Sequence, residues 1–117
     1  MLDRRVIEQL IDDIGQDVFG RLSRQFLDET TERIAAIKAC RQGAEWKELA
    51  RHAHSLKSTS QSFGLQQTGQ LAAALQHAGD REQVALIEQL SPDLFAAATV
   101  ECREFAELCD QLAFSSQ

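Results

Sequence analysis

Apolar residues recur at spacings of three and four along most of this chain, which is the pattern of helices that bury one face. The clearest line lies in a stretch predicted to be helical from about Ala44 to Phe63. Its members are Trp46, Leu49, Ala53, Leu56, Ser60 and Phe63. At about 100° per residue these positions share one side of the helix, so we predict that this side is buried. His54 lies about 130° from the centre of that line and is therefore expected to face solvent.

Other stretches show the same spacing and are also predicted to be helical. A short first helix begins after Asp3, whose side chain can cap it, and ends before Gly15. A longer second helix covers about 17–41, and a helix at about 65–78 follows the central one. The apolar line of the second helix is Val18, Phe19, Leu22, Phe26, Thr30, Ile34 and Ile37.

A helical stretch of about 81–90 comes next, and a last helix is predicted from Pro92, the one proline of the chain, to about residue 113. Ser91 and Pro92 fit an N-cap and a first helical position, so we predict a break or a sharp bend there. Residues 115–117 are expected to be frayed. Because the connections are short, consecutive helices are expected to be antiparallel neighbours. We therefore predict a single all-α domain over residues 1–117, an antiparallel up-and-down four-helix bundle with the short N-terminal helix across one end.

Composition and charge argue against several classes of function. The formal net charge is −6 and no basic face is apparent, which disfavours binding to nucleic acid or to an anionic membrane surface. No stretch approaches the roughly 20 apolar residues that span a bilayer, and no signal peptide is recognised, so we expect a cytoplasmic protein or domain. Cys40, Cys102 and Cys109 have neither disulfide nor zinc spacing and are expected to be reduced thiols.

The residues around His54 admit three interpretations. An exposed histidine is most often an ordinary solvated side chain, and the residues alone do not exclude this. A metal pair with His52 is disfavoured, because side chains two positions apart point about 200° away from each other. His52 lies nearer to the buried line and is predicted to be a packing residue that forms a hydrogen bond. A nucleophile–base pair with Ser55, Ser58 or Thr59 lacks a carboxylate placed to orient the ring.

The sequence A-H-S-L-K-S at residues 53–58 resembles the histidine-containing phosphotransfer (HPt) domain family. The family pattern is H-x-L-K-G, with a glycine several residues later that ends the helix. In this chain His54 matches the phosphorylated histidine and Leu56 matches the buried leucine. Lys57 and Gly64 match the family lysine and the turn glycine. The order of the helices resembles the family over nearly the whole chain.

The resemblance also implies roles for the residues around His54. Gln76 falls where some family members carry a glutamine that hydrogen-bonds the active imidazole and orients it. Lys57 is expected to offset the negative charge of the phosphoryl oxygens. Ser58 departs from the family pattern, which has glycine there, but serine is small enough to leave the ring accessible. The surface that a receiver domain contacts is expected to include Ala50, Arg51, Ser55, Ser58 and Gln61.

A phosphoryl carrier, not an enzyme, is the function that the resemblance implies. The chain would relay a phosphoryl group between receiver-domain aspartates in multistep two-component signalling, through phospho-His54. Response-regulator receiver domains and a hybrid sensor histidine kinase are the expected partners of a monomeric protein. The chain has no glycine-rich phosphate loop and no acidic cluster near His54, so no cofactor is expected and Mg²⁺ is expected only in the receiver.

Three other hypotheses remain beside this one. An HPt-like regulatory module would dock a receiver or a kinase without carrying phosphate, and Ser58 in place of glycine favours it slightly. A helical-bundle metalloenzyme would need Glu-x-x-His pairs on facing helices, which the sequence lacks. A structural or dimerisation bundle would leave His54 as an incidental surface residue.

Overall fold

Five helices make up the fold. The computed structural model describes the backbone of residues 1–115 and the side chains as far as residue 112. The helices are α1 (Arg4–Ile14), α2 (Gln16–Gln42), α3 (Trp46–Ser62), α4 (Gln66–Asp80) and α5 (Val84–Ser115). Helices α2 to α5 each pack against the next in the chain, α2 also contacts α5, and α1 rests on α2. The predicted all-helical fold is therefore confirmed, with helix ends displaced by a few residues.

Helix α5 continues through Pro92, so the predicted break is wrong. Buried positions follow one another at spacings of three and four on both sides of the proline: Ile87, Ser91, Leu94, Ala98, Glu101, Phe105 and Leu108. Pro92 itself lies on the exposed side of the helix. The carbonyl that it leaves without a helical partner belongs to the exposed Glu88, where water can bond it. Burial of one uninterrupted line thus outweighs the local cost of the proline. Of the tail predicted to be frayed, residues 116 and 117 lie outside the described part of the chain.

Two apolar clusters fill the interior. One lies among α2, α3, α4 and the first half of α5 and contains Ile37, Cys40, Leu49, Ala53, Leu56, Ala72, Leu75, Ala78, Ile87 and Leu94. The other lies at the α1 end and contains Ile7, Phe19, Phe26, Leu65, Phe105 and Leu108. The rings of Phe26 and Phe63 stack with centroids 4.3 Å apart. Helix α3 is therefore anchored by burial along its whole length.

Two residues of the predicted α2 line lie at its margin. Val18 is 36% exposed and Leu22 is 39% exposed. Each precedes a buried residue, Phe19 or Ser23, and so lies about 100° around the helix from it. The buried line of α2 is consequently narrower at its N-terminal end than the sequence pattern predicts.

The turn between α3 and α4 depends on Gly64. Its φ is +81°, a conformation that favours glycine. A Cβ atom at this position would lie only 2.7 Å from the carbonyl oxygen of Asp3. The Asp3 amide in turn donates a hydrogen bond to the Gly64 carbonyl at 2.8 Å. This contact ties the start of α1 to the end of α3, and Gly64 follows the end of that helix as predicted.

A buried carboxylate joins α5 to the start of α4. Glu101 is 1% exposed, and it accepts hydrogen bonds from the amides of Gln67 (3.1 Å) and Thr68 (2.6 Å) and from the Thr68 hydroxyl. The ammonium of Met1 lies 2.7 Å from the same carboxylate. Burial by itself raises the pKa of Glu101, but these donors outweigh burial and lower the pKa below its ordinary value. Glu101 thus satisfies the free amides at the N-terminus of the helix that carries Gln76.

Candidate functional site

His54 projects from α3 toward the adjacent edge of α4. Its side chain is exposed, and its Nδ1 lies 3.2 Å from Oε1 of Gln76. A carbonyl oxygen can only accept a hydrogen bond, so Nδ1 carries the hydrogen and donates it. In the neutral ring, Nε2 then keeps its lone pair. The two helices together hold a solvent-accessible imidazole, and the tautomer that Gln76 favours leaves the lone pair on Nε2.

Close packing of α3 against α4 sets this contact. At Gly79 a Cβ atom would lie 3.0 Å from both the Cβ of Ala50 and the carbonyl oxygen of Trp46. Gly79 follows Gln76 by three residues, so it lies on the same side of α4. The close approach fixes how far the Gln76 side chain must extend to reach the ring.

The same packing overturns one prediction from the sequence. The family resemblance places Ala50 on the surface that a receiver contacts, but the residue is only 2% exposed. The reason is that α4 approaches closely at Gly79 and covers the Ala50 side chain. Ala50 therefore belongs to the helix–helix contact and presents no surface to a partner.

Lys57 lies one turn beyond His54 on the same helix. Its side chain is half-buried, and within residues 1–112 its ammonium forms no hydrogen bond or ion pair. Side chains three residues apart on a helix have Cβ atoms about 5–6 Å apart. An unpaired cation is thus available beside the exposed ring.

The hydroxyl side chains of α3 turn back onto their own helix. Ser58 Oγ donates to the carbonyl of His54 at 3.2 Å, and Ser55 Oγ donates to the carbonyl of Arg51 at 3.4 Å. Ser62 Oγ donates in the same way to the carbonyl of Ser58 at 3.1 Å. Because their hydroxyls are turned onto the backbone, Ser55 and Ser58 add only small side chains to the surface next to the imidazole. Gln61 is exposed on the same helix.

A surface ion pair flanks the ring on its N-terminal side. Arg51 Nη2 lies 2.8 Å from Glu48 Oε1, and the two side chains are 76% and 44% exposed. Exposed pairs of this kind contribute about 0–1 kcal/mol to stability. The guanidinium is therefore held in place only weakly.

His52 occupies the opposite flank of α3, toward α2. Its side chain is half-buried, and its Nδ1 lies 3.0 Å from Nη1 of Arg33. A guanidinium only donates, so Nδ1 of His52 is the acceptor and Nε2 carries the hydrogen. The prediction that His52 packs and forms a hydrogen bond is confirmed. Within residues 1–112, no three His, Cys, Asp or Glu side chains form a group that could hold a metal ion.

The cysteines offer no second reactive group. Cys40 is buried, while Cys102 and Cys109 are half-buried, and all three thiols are free. Burial raises the pKa of each thiol and neighbouring carboxylates raise it further, although at Cys109 the Ser23 hydroxyl lowers the pKa in part. A raised pKa disfavours the reactive thiolate.

Within the part of the chain that the structure describes, no helix has the length and apolar character needed to cross a bilayer.

Comparisons with known proteins point to one family. The family model described as the Hpt domain matches residues 21–113. The chain is also similar to the crystal structure of histidine-containing phosphotransfer protein B (HptB) from Pseudomonas aeruginosa, with a TM-score of 0.88 and 21% sequence identity. That match covers 94% of this chain and 95% of the other. None of the curated proteins matches this chain.

Proposed function

The chain belongs to the Hpt domain family of two-component phosphorelay proteins, and we propose that it relays a phosphoryl group between receiver-domain aspartates through phospho-His54. The observation that carries the proposal is the contact between Nδ1 of His54 and Oε1 of Gln76. This contact leaves a lone pair on Nε2 of an exposed ring, which is what a phosphoryl acceptor needs.

The transfer step requires no proton acceptor on this chain. The Nε2 lone pair attacks the phosphorus of an aspartyl phosphate on the receiver, and the bond from phosphorus to the carboxyl oxygen breaks. The aspartate leaves as a carboxylate with the bonding electrons. The ring then carries the phosphoryl group on Nε2 and hydrogen on Nδ1, and so gains one positive charge. Gln76 Oε1 accepts from Nδ1–H throughout and stabilises that charge as it develops.

Lys57 supplies a cation beside the transferred group. Its ammonium has no other partner within residues 1–112, and it follows His54 by one turn. An ammonium close to phosphoryl oxygens forms charge-assisted hydrogen bonds, which are stronger than neutral ones. Lys57 thereby stabilises negative charge on the phosphoryl group both in the transition state and in the phosphorylated protein.

The rest of the machinery comes from the partner. We assign the aspartate and its Mg²⁺ to the receiver, because the polar neighbours of His54 on this chain are an amide, hydroxyls and cations. The docking surface is the exposed side of α3 with parts of α1, α2 and α4. Of the residues expected to contact a receiver, it includes Arg51, Ser55, Ser58 and Gln61 but not the buried Ala50. The scaffold is an antiparallel up-and-down bundle of α2 to α5 with α1 across the Gly64 end.

The protein in this proposal is a cytoplasmic monomer served by a hybrid sensor histidine kinase and by response-regulator receivers. An in-line transfer brings the partner's phosphorus to within about 3 Å of Nε2. The small side chains around the ring permit that approach. The folded-back hydroxyl of Ser58 keeps this position small although the family pattern has glycine there.

Two matched variants test the assignment of the phosphorylated residue. His54→Gln is expected to abolish labelling by a phosphorylated receiver domain. His52→Gln removes a histidine from the same helix and should keep labelling within about twofold of wild type, because the Nδ1 lone pair of His52 is already engaged. Labelling of the His54→Gln protein at the wild-type level would overturn the proposal.

A regulatory module that binds without carrying phosphate is the second candidate, and Ser58 in place of glycine is the observation that favours it. The same assay separates the two functions. A receiver that binds the wild-type chain, measured by calorimetry, but never labels His54 would support the regulatory module. Labelling of His54 would support the relay.

A further inference from the structure

Arg51 is a cation near His54, and its ion pair with Glu48 is exposed and therefore easily replaced. It pairs with Glu48 at 2.8 Å, and 76% of the Arg51 side chain is exposed. An exposed pair at this helical spacing contributes little to stability. Arg51 can therefore leave Glu48 at little cost if a stronger anion appears nearby.

The geometry of α3 brings such an anion within reach. Side chains on a helix lean toward its N-terminus, so the ring of His54 leans over the turn that contains Arg51. The two residues are three apart, and their Cβ atoms are thus about 5–6 Å from each other. Arg51 now leans the same way, toward Glu48, and so away from the ring. Rotation about its side-chain bonds is enough to bring the guanidinium to His54.

We propose that Arg51 is a phosphoryl-binding residue that exchanges Glu48 for the phosphoryl group on His54. This inference rests on the proposed function, since it concerns the phosphorylated form of the same histidine. A phosphoryl group brings about two negative charges and three acceptor oxygens. A guanidinium binds two of those oxygens in a forked arrangement, which the single Glu48 carboxylate oxygen in the present pair does not match. Lys57 then approaches the phosphoryl group from the C-terminal side and Arg51 from the N-terminal side.

Glu48 has a regulatory part in this arrangement. While His54 is unmodified, Glu48 holds the guanidinium and limits the positive charge beside the neutral ring. When the phosphoryl group arrives, Arg51 changes partner and Glu48 is left in solvent, where it is 44% exposed already. The exchange makes the surface next to His54 differ between the two forms of the protein, which gives a partner a feature to distinguish.

Chemical phosphorylation of the full chain tests the exchange without any partner. With potassium phosphoramidate the P–N bond of the donor breaks, ammonia leaves, and the new bond forms to the histidine nitrogen. Peptide mass spectrometry then gives the ratio of the initial labelling rate at His54 to that at His77, an exposed histidine on α4 that serves as the internal reference.

Arg51→Ala is expected to lower this ratio of labelling rates about fivefold, and Arg51→Lys about twofold. Glu48→Gln should raise the ratio about twofold, and Glu48→Gln/Arg51→Ala should lose that gain.

Lys47→Ala is the matched control, because Lys47 is an exposed cation on the same helix one turn before Arg51. The proposal requires that this variant keep the ratio within about 1.5-fold of wild type. Equal losses in Lys47→Ala and Arg51→Ala would mean that general surface charge acts and would overturn it. So would an unchanged ratio in Arg51→Ala.

A spectroscopic measurement provides a direct readout of the exchange. The Nε–Hε signal of Arg51, assigned with the Arg51→Lys variant, should shift and resist solvent exchange on phosphorylation of His54. An unmoved signal contradicts the exchange. If phosphoramidate labels His54 with this Arg51 dependence but no receiver does, the relay fails and the exchange stands. If receivers label His54 and Arg51→Ala behaves like wild type, the exchange fails and the relay stands.

Discussion

The two flanks of α3 carry one histidine each, and the two rings are held in opposite ways. On the α2 side, a guanidinium donates to Nδ1 of His52. On the α4 side, an amide carbonyl oxygen faces Nδ1 of His54. The first partner engages the lone pair of a half-buried ring, and the second leaves a lone pair free on an exposed ring. Two histidines separated by a single alanine thus differ in chemistry because different helices supply their partners.

The reactivity of each histidine ring is therefore determined by the helix that packs beside it. The residue type alone does not distinguish His52 from His54, and neither does their distance along the chain. The distinction comes from the neighbouring helix and from whether its side chain donates or accepts. Three substitutions, at Glu101, Gln76 and Gly79, should disturb the α4 side, with effects that decrease in that order.

Removal of the Glu101 charge should disturb the α4 side most, because this carboxylate anchors the start of α4. Glu101→Gln is expected to lower the free energy of unfolding by about 2 kcal/mol at neutral pH, through the loss of charge-assisted hydrogen bonds from Gln67 and Thr68. Urea denaturation at a series of pH values measures the loss.

The pH dependence of that difference has a defined sign. The pKa of Glu101 is lowered in the folded protein, so the carboxylate contributes stability above its ordinary value of 4.5. This contribution is lost as the pH falls through the lowered pKa. Wild type and Glu101→Gln should therefore converge as the pH falls from 4.5 through the lowered pKa, and a difference that does not shrink over that range contradicts the assigned role.

Substitution of Gln76 should change chemistry and leave the fold intact. Gln76→Leu removes the acceptor for Nδ1–H, so the neutral ring of His54 is no longer held in one tautomer. We expect phosphotransfer from a receiver to slow about tenfold, equivalent to about 1.4 kcal/mol. Helix content by circular dichroism should stay at the wild-type level. Transfer at the wild-type rate would show that the contact has no role in orienting the ring.

A methyl group between α3 and α4 should have the smallest effect of the three. In Gly79→Ala the new Cβ meets Ala50 and the Trp46 carbonyl at 3.0 Å, so the helices must separate slightly. We expect a net loss of about 1 kcal/mol in the free energy of unfolding, because strain exceeds the gain in helix propensity.

Gly20→Ala is the matched control for that substitution. Gly20 also lies within a helix, but nothing lies within 4 Å of the position of its Cβ. This variant should be as stable as wild type or more stable, by up to about 1 kcal/mol. If both variants are stabilised equally, α3 and α4 are not packed as closely as the structure indicates.

Periodicity predicted those features that depend on one helix. The exposure of His54 follows from its angle to the buried line, and the position of Gly64 follows from the end of the same pattern. Ala50 lay outside this logic, because whether a small residue at the margin is covered depends on how closely the next helix approaches. At Ala50, the lack of a side chain at Gly79 permits this close approach of α4.

The contact of Gln76 with His54 was implied by the family resemblance, but the other pairings between helices were not revealed by the sequence. Pro92 is tolerated because the buried positions on both sides of it form one continuous line, and a local reading of Ser91 and Pro92 as a helix start overlooks this. Glu101 had a signal, since it is a charged residue at an inward position of the buried line of α5. Its partners at the start of α4 are more than thirty residues away and could not be identified from spacing.

The tautomers of the two histidines are the most direct test of the account. Two-bond ¹⁵N–¹H correlation spectra of the full chain, recorded at about pH 8.5, report which ring nitrogen of each histidine carries hydrogen. The account predicts hydrogen on Nδ1 of His54 and on Nε2 of His52. Spectra that show hydrogen on Nε2 of His54, or the same tautomer in both rings, would contradict it.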